Sequence, residues 1–320
     1  MKKRKYVIIF LLGFLFTNLG AQPVKMHGQL LVNGIQLVDQ NGEPIILRGV
    51  SYGWHNWWPR FYNKESVKWL RDDWKATVVR AAMGVDPDRG YIRSKEWSVE
   101  TIEKVIEAAI ENDIYVIVDW HSHTVRQNEA IEFFEHIARK YGDKPHVIYE
   151  IFNEPERIEW EPVKNYSIEV IKAIRRIDPD NLILVGSPHW CQDLQIVADD
   201  PITGFENLMY TVHFYAATHK QSLRDRCNYA RSKGIPIFAS ETAGMEATGN
   251  GPINHEEWQT WIDWMEQNQI SWITWSISDN NETCSMLTPE AESKGEWSEN
   301  HLKESGKLTR AYLRKYAEAE

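Results

Sequence analysis

The sequence predicts an α/β fold, a closed (β/α)8 barrel of the TIM type preceded by a short β-hairpin segment, and three observations carry that prediction. From Ile45 onward, short apolar runs alternate with amphipathic stretches until the chain ends. The apolar runs show no in-and-out alternation, which is the pattern of parallel strands covered by helices on both faces. Several of the runs end in polar residues, and in such a barrel the C-terminal ends of all strands open on one face, where sites are built.

The elements follow in order. Met1 to Ala21 has the charged head Lys2-Lys3-Arg4-Lys5, an apolar body and the small pair Gly20-Ala21. This reads as a secretory signal peptide over residues 1–21, too short for a comfortable transmembrane helix, so the mature protein is expected to be exported. Leu30 to Gly49 reads as short strands broken at Asn33-Gly34 and Asn41-Gly42, both hairpin signals, and is expected to cover the bottom of the barrel. The units are then ILRGVS from Ile45 with a helix over Glu65–Trp74, TVVRAAM from Thr77 with Ser98–Asn112, YVIVDWH from Tyr115 with Ala130–Tyr141, and VIYEIFNE from Val147 with Trp160–Asp178. LILVGS from Leu182 is followed by a helix over Cys191–Ala198, LMYTVHFY from Leu208 by Gln221–Gly234, PIFASE from Pro236 by His255–Asn268, and ISWITWS from Ile270 by Leu302–Ala317. No linker, low-complexity tract or repeat interrupts them, so residues 22–320 are expected to form a single catalytic domain.

Composition narrows the function. A net charge of −10 argues against nucleic-acid or anionic-membrane partners and suits a neutral substrate. The 15 Trp and 13 Tyr exceed what a core alone demands; flat aromatic faces stack on sugar rings, although packing explains most of them. Cys191, Cys227 and Cys284 are odd in number and widely spaced, so they read as buried thiols, with neither a disulfide framework nor a metal-ligand spacing.

The stretch His146 to Pro155, HVIYEIFNEP, organises the chain. Its apolar run ends in Asn153-Glu154-Pro155, which places a carboxylate at a strand tip. Glu241 follows Pro236–Ser240 in the same way, and His121 and His213-Phe214-Tyr215 end two further strands. Two facing carboxyl groups are the minimum for hydrolysing a glycosidic bond, one protonating the leaving oxygen and one acting on the anomeric carbon. Glu150, four residues before Glu154, would lie roughly 13 Å deeper and reads as a buried structural carboxylate, while Glu246 reads as a loop charge. Arg80 is a cation among apolar neighbours and needs a carboxylate partner, for which Glu241 is suited. Asn153, His121, His213 and Tyr215 offer neutral donors and acceptors for sugar hydroxyls. A competing reading takes His121-Ser122-His123 as a zinc-binding H-x-H, but such sites draw the pair from the first strand and add further histidines, whereas the later tips here offer Glu154, His213, Glu241 and Trp275.

Taken together, the segments ILRGVSYGWHNWW, NKESVKWLRDDW, TVVRAAM, YVIVDWH, VIYEIFNEP, TVHFYAATH, PIFASE and SWITWSISDNNE resemble glycoside hydrolase family 5, in its bacterial secreted endo-β-1,4-glucanase (cellulase) subfamily, from about Val24 to Tyr316. The resemblance implies a retaining double displacement with Glu154 as acid/base and Glu241 as nucleophile, oriented by Arg80 and Tyr215, with His213 tuning Glu154. It implies substrate contacts from Asn153 to the 2-hydroxyl, from His121 to its neighbour, from Trp275 beneath the cleaved ring and from Trp57 beneath the next, with Glu282 retained at the outer glycone side. It implies no cofactor and no metal, a β-1,4-linked polysaccharide as substrate, and a monomeric exported enzyme that does not bind nucleic acid or, once the signal is removed, a membrane. Two positions depart from the common pattern: Glu241 is followed by Thr242 where an aromatic is frequent, and Asn280 stands where many relatives carry a lysine that contacts an outer glucose. A β-mannanase or mixed-linkage glucanase would use the same catalytic set, and a catalytically dead carbohydrate-binding protein would have no need of both carboxylates.

Overall fold

The computed structural model describes residues 22–318; the expected signal peptide, 1–21, lies outside them. Eight parallel strands close a barrel: β3 (Arg48–Tyr52), β4 (Val78–Gly84), β5 (Tyr115–His121), β6 (Val147–Glu150), β7 (Ile183–Val185), β8 (Leu208–Tyr215), β9 (Ile237–Ala243) and β10 (Trp272–Ile277), the last pairing with the first. The predicted (β/α)8 architecture is therefore the observed one. Around it lie α2 (Lys64–Asp72), α3 (Lys95–Glu111), α4 (Gln127–Tyr141), α5 (Trp160–Arg175), α8 (Gln221–Ser232), α9 (His255–Gln267) and α10 (Glu304–Ala317). Each turns an apolar stripe such as Val67, Leu70 or Ile102, Val105, Ile106 onto the strands, which is why both faces of the sheet are apolar. Local signals set the helix starts: Asn63 accepts a hydrogen bond from the Ser66 N–H at 3.0 Å, and Asn254 one from Glu257 at 3.1 Å, as N-caps do.

The hairpin β1 (Leu31–Asn33) and β2 (Gln36–Val38) forms as expected, and a short helix α1 (Pro23–His27) that the sequence reading did not foresee precedes it. Together they plug the barrel floor. Val24, Leu30, Leu37, Ile45 and Leu47 share one buried cluster with the lower strand residues Val78, Tyr115, Ile148, Met209, Phe238 and Ile273. Among the described residues, no helix is long and apolar enough to cross a membrane.

Two expectations need correction. The helix expected over Cys191–Ala198 is broken into a turn, α6 (Pro188–Cys191), and α7 (Leu194–Asp199), because His189, Trp190 and Cys191 take φ of 51°, 57° and 58°. The Trp190 N–H donates to the Pro155 carbonyl at 2.9 Å, and Cys191 Sγ to that of Asn153 at 3.0 Å, so the loop after β7 is tied to the NEP turn instead of entering a helix. Strand β9 also runs past Glu241 to Ala243, because the Thr242 hydroxyl donates to the Ile273 carbonyl at 3.0 Å and keeps the chain extended. Glu241 lies within the strand, not after it.

Candidate active site

Arg80 is the buried hub of the barrel mouth. Its Nε donates to Glu150 Oε2 at 2.6 Å, Nη2 to Asn153 Oδ1 at 2.6 Å, and Nη1 to Glu241 Oε2 at 3.2 Å, while Nη2 stands 3.0 Å from Asp119 Oδ2. Burial opposes the guanidinium charge, but Asp119, Glu150 and Glu241 outweigh it and hold the group protonated. The expected Arg80–Glu241 pair is present. It is the longest of these four contacts, so much of the charge is held by Glu150, the buried structural carboxylate, which this pairing and His213 bring down to about 2 in spite of its desolvation.

Glu241 is 5 % exposed and receives the Tyr215 hydroxyl on Oε1 at 2.7 Å. Burial and the Glu154 charge raise its carboxyl above the usual value, against the pull of His213, Arg80 and Tyr215. Burial and Glu241 in turn push the Tyr215 phenol well above its ordinary range, so it remains a donor. Glu154 accepts from His213 Nδ1 at 2.9 Å. Burial would raise Glu154, but the His213 bond and charge prevail and lower it. His213 is held well above the ordinary imidazole range despite burial; the neighbouring Cys191 thiol, pushed up to about 11 by burial, is neutral near pH 7, so Glu150 and Glu154 are what keep the proton on the ring. His213 Nε2 lies 2.9 Å from Ser240 Oγ, and that hydroxyl donates to Glu150 Oε1 at 2.6 Å. A continuous hydrogen-bonded chain thus joins Glu154 to Glu241 through His213, Ser240, Glu150 and Arg80.

One ligand-type atom from each of Glu154, His213 and Glu241 lies within 4.8 Å of the others. Such a trio can attract a cation, but both ring nitrogens of His213 are engaged and the ring carries a proton, so it offers no lone pair. The H-x-H pair does not join the trio. His121 Nδ1 is bonded to Asp119 Oδ2 at 2.6 Å, and His123 Nδ1 to Glu156 Oε1 at 2.8 Å. Burial and Arg80 hold His121 well below its usual value, hence neutral.

A cleft of about 470 Å³ on one side is lined by Trp54, Trp57, Trp58, Trp275, Asn280 and Glu282. His121 stacks on Trp275 with ring centroids 5.1 Å apart and 10° between the planes, and Trp57 is 53 % exposed. A second cleft of about 470 Å³ on the other side holds Glu154, Trp190, Gln192, His213, Tyr215 and His219. Every residue singled out from the sequence as catalytic or substrate-binding therefore lies in the Arg80 cluster or along these two clefts.

The family model described as Cellulase (glycosyl hydrolase family 5) matches residues 38–281, which hold both carboxylates and the whole Arg80 cluster. The chain belongs to glycosyl hydrolase family 5. Among curated relatives, a protein named endoglucanase from Clostridium saccharobutylicum is 42 % identical over 319 residues, covering 95 % of this chain and 71 % of its own. Four curated relatives are longer, this chain spanning 60 to 71 % of their length. A solved structure from Cytophaga hutchinsonii superposes with a TM-score of 0.92 at 42 % identity, covering 93 % of this chain and 98 % of that one. A variant of the Thermobifida fusca endoglucanase catalytic domain in complex with cellotetraose gives 0.87 at 33 % identity, covering 92 % and 100 %.

Sequence reasoning missed Ser240, Trp54, Trp190 and the pairing of His123 with Glu156, having weighed His123 only as half of an H-x-H. Trp54 packs edge-on to His121 at 4.2 Å and against Trp57 at 4.8 Å, holding the exposed ring in place. The run Trp54-His55-Asn56-Trp57-Trp58 after a strand was the available signal. Nothing local marked Ser240, whose partners His213 and Glu150 come from other strands, or Trp190, whose partner Pro155 lies in a distant loop.

Proposed function

We propose that this chain is a retaining endo-β-1,4-glucanase, with Glu241 as nucleophile and Glu154 as acid/base. The observation that carries the reading is the proximity of the two carboxylates, each with a different partner: an oxygen of each lies within 4.8 Å, a spacing suited to direct attack and too short to seat the water of an inverting enzyme. The relatives named endoglucanase and the cellotetraose complex support a cellulose-type β-glucan as substrate.

The charges explain how a resting site with its proton on His213 becomes reactive. Glu154 and His213 share one proton across 2.9 Å. A sugar chain filling the clefts excludes water and disfavours the separated charges, which moves the proton onto Glu154 without any exchange with solvent. The Glu154 charge that raised Glu241 then disappears, and Arg80 and Tyr215 hold Glu241 ionised. Glu241 attacks the anomeric carbon as the bond to the leaving oxygen breaks and Glu154 delivers its proton to that oxygen. Glu154, now anionic, takes a proton from water, which displaces Glu241 and restores the starting state. Asn153 Nδ2 is buried without a partner among the described residues, a donor available to the 2-hydroxyl where transition-state charge gathers. His121 meets the neighbouring hydroxyl, and Trp275 and Trp57 lie beneath successive rings.

In this reading residues 22–320 form the catalytic domain and act as a monomer, exported by the segment 1–21 and requiring neither metal nor organic cofactor. Viscosity loss and reducing-end release on carboxymethylcellulose, beside β-mannan and with EDTA in parallel, test the reading. A fast viscosity drop on the cellulose derivative, unchanged by EDTA, is expected. Release on mannan alone would retain the two-carboxylate chemistry and replace the substrate.

A further inference from the structure

We propose that Lys303 is a positioning residue that sets affinity in the tryptophan-lined cleft by holding the loop that carries Asn280 and Glu282; this rests on the glucanase reading above. Lys303 lies just before α10, outside the cleft. Its Nζ donates to the Asn280 carbonyl at 3.0 Å and to the Glu282 carbonyl. The ammonium grips the back of the loop on alternate residues, while the Asn280 and Glu282 side chains line the cleft with Trp54, Trp57 and Trp275.

The base of the lysine is fixed independently of the loop tip. Its own N–H donates to the Met286 carbonyl at 2.9 Å, and Gly306 packs so closely that a Cβ there would sit 2.4 Å from the same oxygen. α10 therefore starts in close contact with the Met286 backbone through groups other than the Lys303 ammonium, which a substitution of that side chain leaves in place. Further along, the loop has backbone anchors: Cys284 N–H donates to Gly249 O at 2.9 Å, and Met286 N–H to Ser276 O at 3.0 Å. Asn281 N–H turns back on Asn280 Oδ1 at 2.9 Å, a local bond that shapes the tip without attaching it to the barrel. On the cleft side, Asp279 receives Arg60 Nη2 at 2.7 Å, in a pair open to solvent. The Glu282 carbonyl also receives the Ser285 N–H at 3.3 Å, and the Thr283 N–H reaches Asn250 Oδ1 at 3.3 Å, but both are long bonds between neutral groups. The charge-assisted bonds to two carbonyls make Lys303 the firmest attachment of 280–282 among the described residues.

The tip matters for binding but not for chemistry. Among the described residues, no hydrogen bond or ion pair joins 280–282 to Glu154, Glu241 or Arg80, so a loosened tip alters how strongly sugar rings settle on the Trp54–Trp57 side and leaves bond cleavage itself intact.

Bond-cleavage frequencies on end-labelled cellopentaose read this directly, because the ratio of products from one binding frame to another does not depend on how much enzyme is folded. For Lys303→Met, frames that place more rings on the tryptophan side should decline relative to the others by roughly three- to tenfold, the effect of misplacing one or two substrate hydrogen bonds. KM for cellopentaose should rise with kcat nearly unchanged, and Lys303→Arg, which keeps two donors, should restore most of the wild-type pattern. A Lys303→Met pattern identical to wild type overturns the inference, even if total activity falls, since lost folding alone leaves the ratio unmoved. Wild-type enzyme that does not cleave cellopentaose at all would instead bring down the glucanase reading, and this inference with it.

Discussion

The two ends of the barrel are built by opposite rules. At the floor, α1 and the hairpin bury Leu30, Leu37 and Leu47 against Ile148 and Phe238, and the side chains meet as hydrocarbons. At the mouth, the same strands place Arg80, Asp119, Glu150, His213 and Glu241 nearly out of solvent, in contact with one another. The floor gains from every buried methylene. The mouth is costly to desolvate and stays folded because each charge has a partner, while Asp119 Oδ1 and Asn153 Nδ2 are buried without one among the described residues. Stability therefore concentrates at one end and chemistry at the other, and substitutions should separate the two.

The largest separation is expected for Glu241→Gln. Turnover of β-glucan should fall roughly 10⁴-fold or more, as for the loss of a covalent nucleophile, while thermal stability and oligosaccharide binding by calorimetry hold. Near-normal kcat would remove Glu241 from that role. Glu154→Ala should slow cleavage of natural chains by about 10²- to 10⁴-fold. With an activated aryl leaving group, added azide should restore turnover and yield a β-glycosyl azide; absence of rescue would count against Glu154 as acid/base.

At the floor, Leu47→Ala should cost about 2–5 kcal/mol of unfolding free energy by denaturant titration, with kcat and KM per folded molecule unchanged. Altered kinetics would mean that the two ends are coupled. The proton store at the mouth gives a pH test. His213 is held above the ordinary imidazole range and shares its proton with Glu154, so the pair loses that proton only on the alkaline side. In His213→Asn the proton would sit on Glu154 alone, raised by burial but no longer held by an imidazole, so the basic limb of kcat/KM should move to lower pH. An unmoved limb would exclude the shared proton. The smallest effect belongs to Trp57→Ala, an exposed ring whose stacking contributes about 0.5–1.5 kcal/mol, or roughly two- to tenfold in KM.

The contrast between the ends also explains what could be read from the sequence. Strand order and the apolar floor were legible because burial on both faces leaves unbroken runs such as Tyr115–Val118, and helix stripes repeat with their own period. The placement of Glu154 and Glu241 at the barrel mouth was legible because a charge near the end of such a run has few structural explanations. Their partners were harder. Arg80 was paired in advance with Glu241, yet its shortest bonds go to Glu150 and Asn153 at 2.6 Å, since register across three strands decides which carboxylate is nearest. Ser240 looks like an ordinary strand residue until β8 brings His213 beside it. The left-handed turn at His189–Cys191 follows from a bond between Trp190 and Pro155, and no local propensity announces it. The signal-peptide reading of residues 1–21 predicts a mature, exported chain beginning at Gln22, which N-terminal sequencing of the exported protein checks.

The central claim is that Glu241 carries a covalent glycosyl intermediate while Glu154 manages the proton. Incubation with an activated 2-deoxy-2-fluoro cellobioside, followed by proteolysis and mass spectrometry, tests it most directly. The expected result is one fluorosugar per enzyme, bound through an ester to the peptide containing Glu241, with activity lost in step. An adduct on another carboxylate, or steady turnover with inversion at the anomeric carbon and no adduct, would contradict the account.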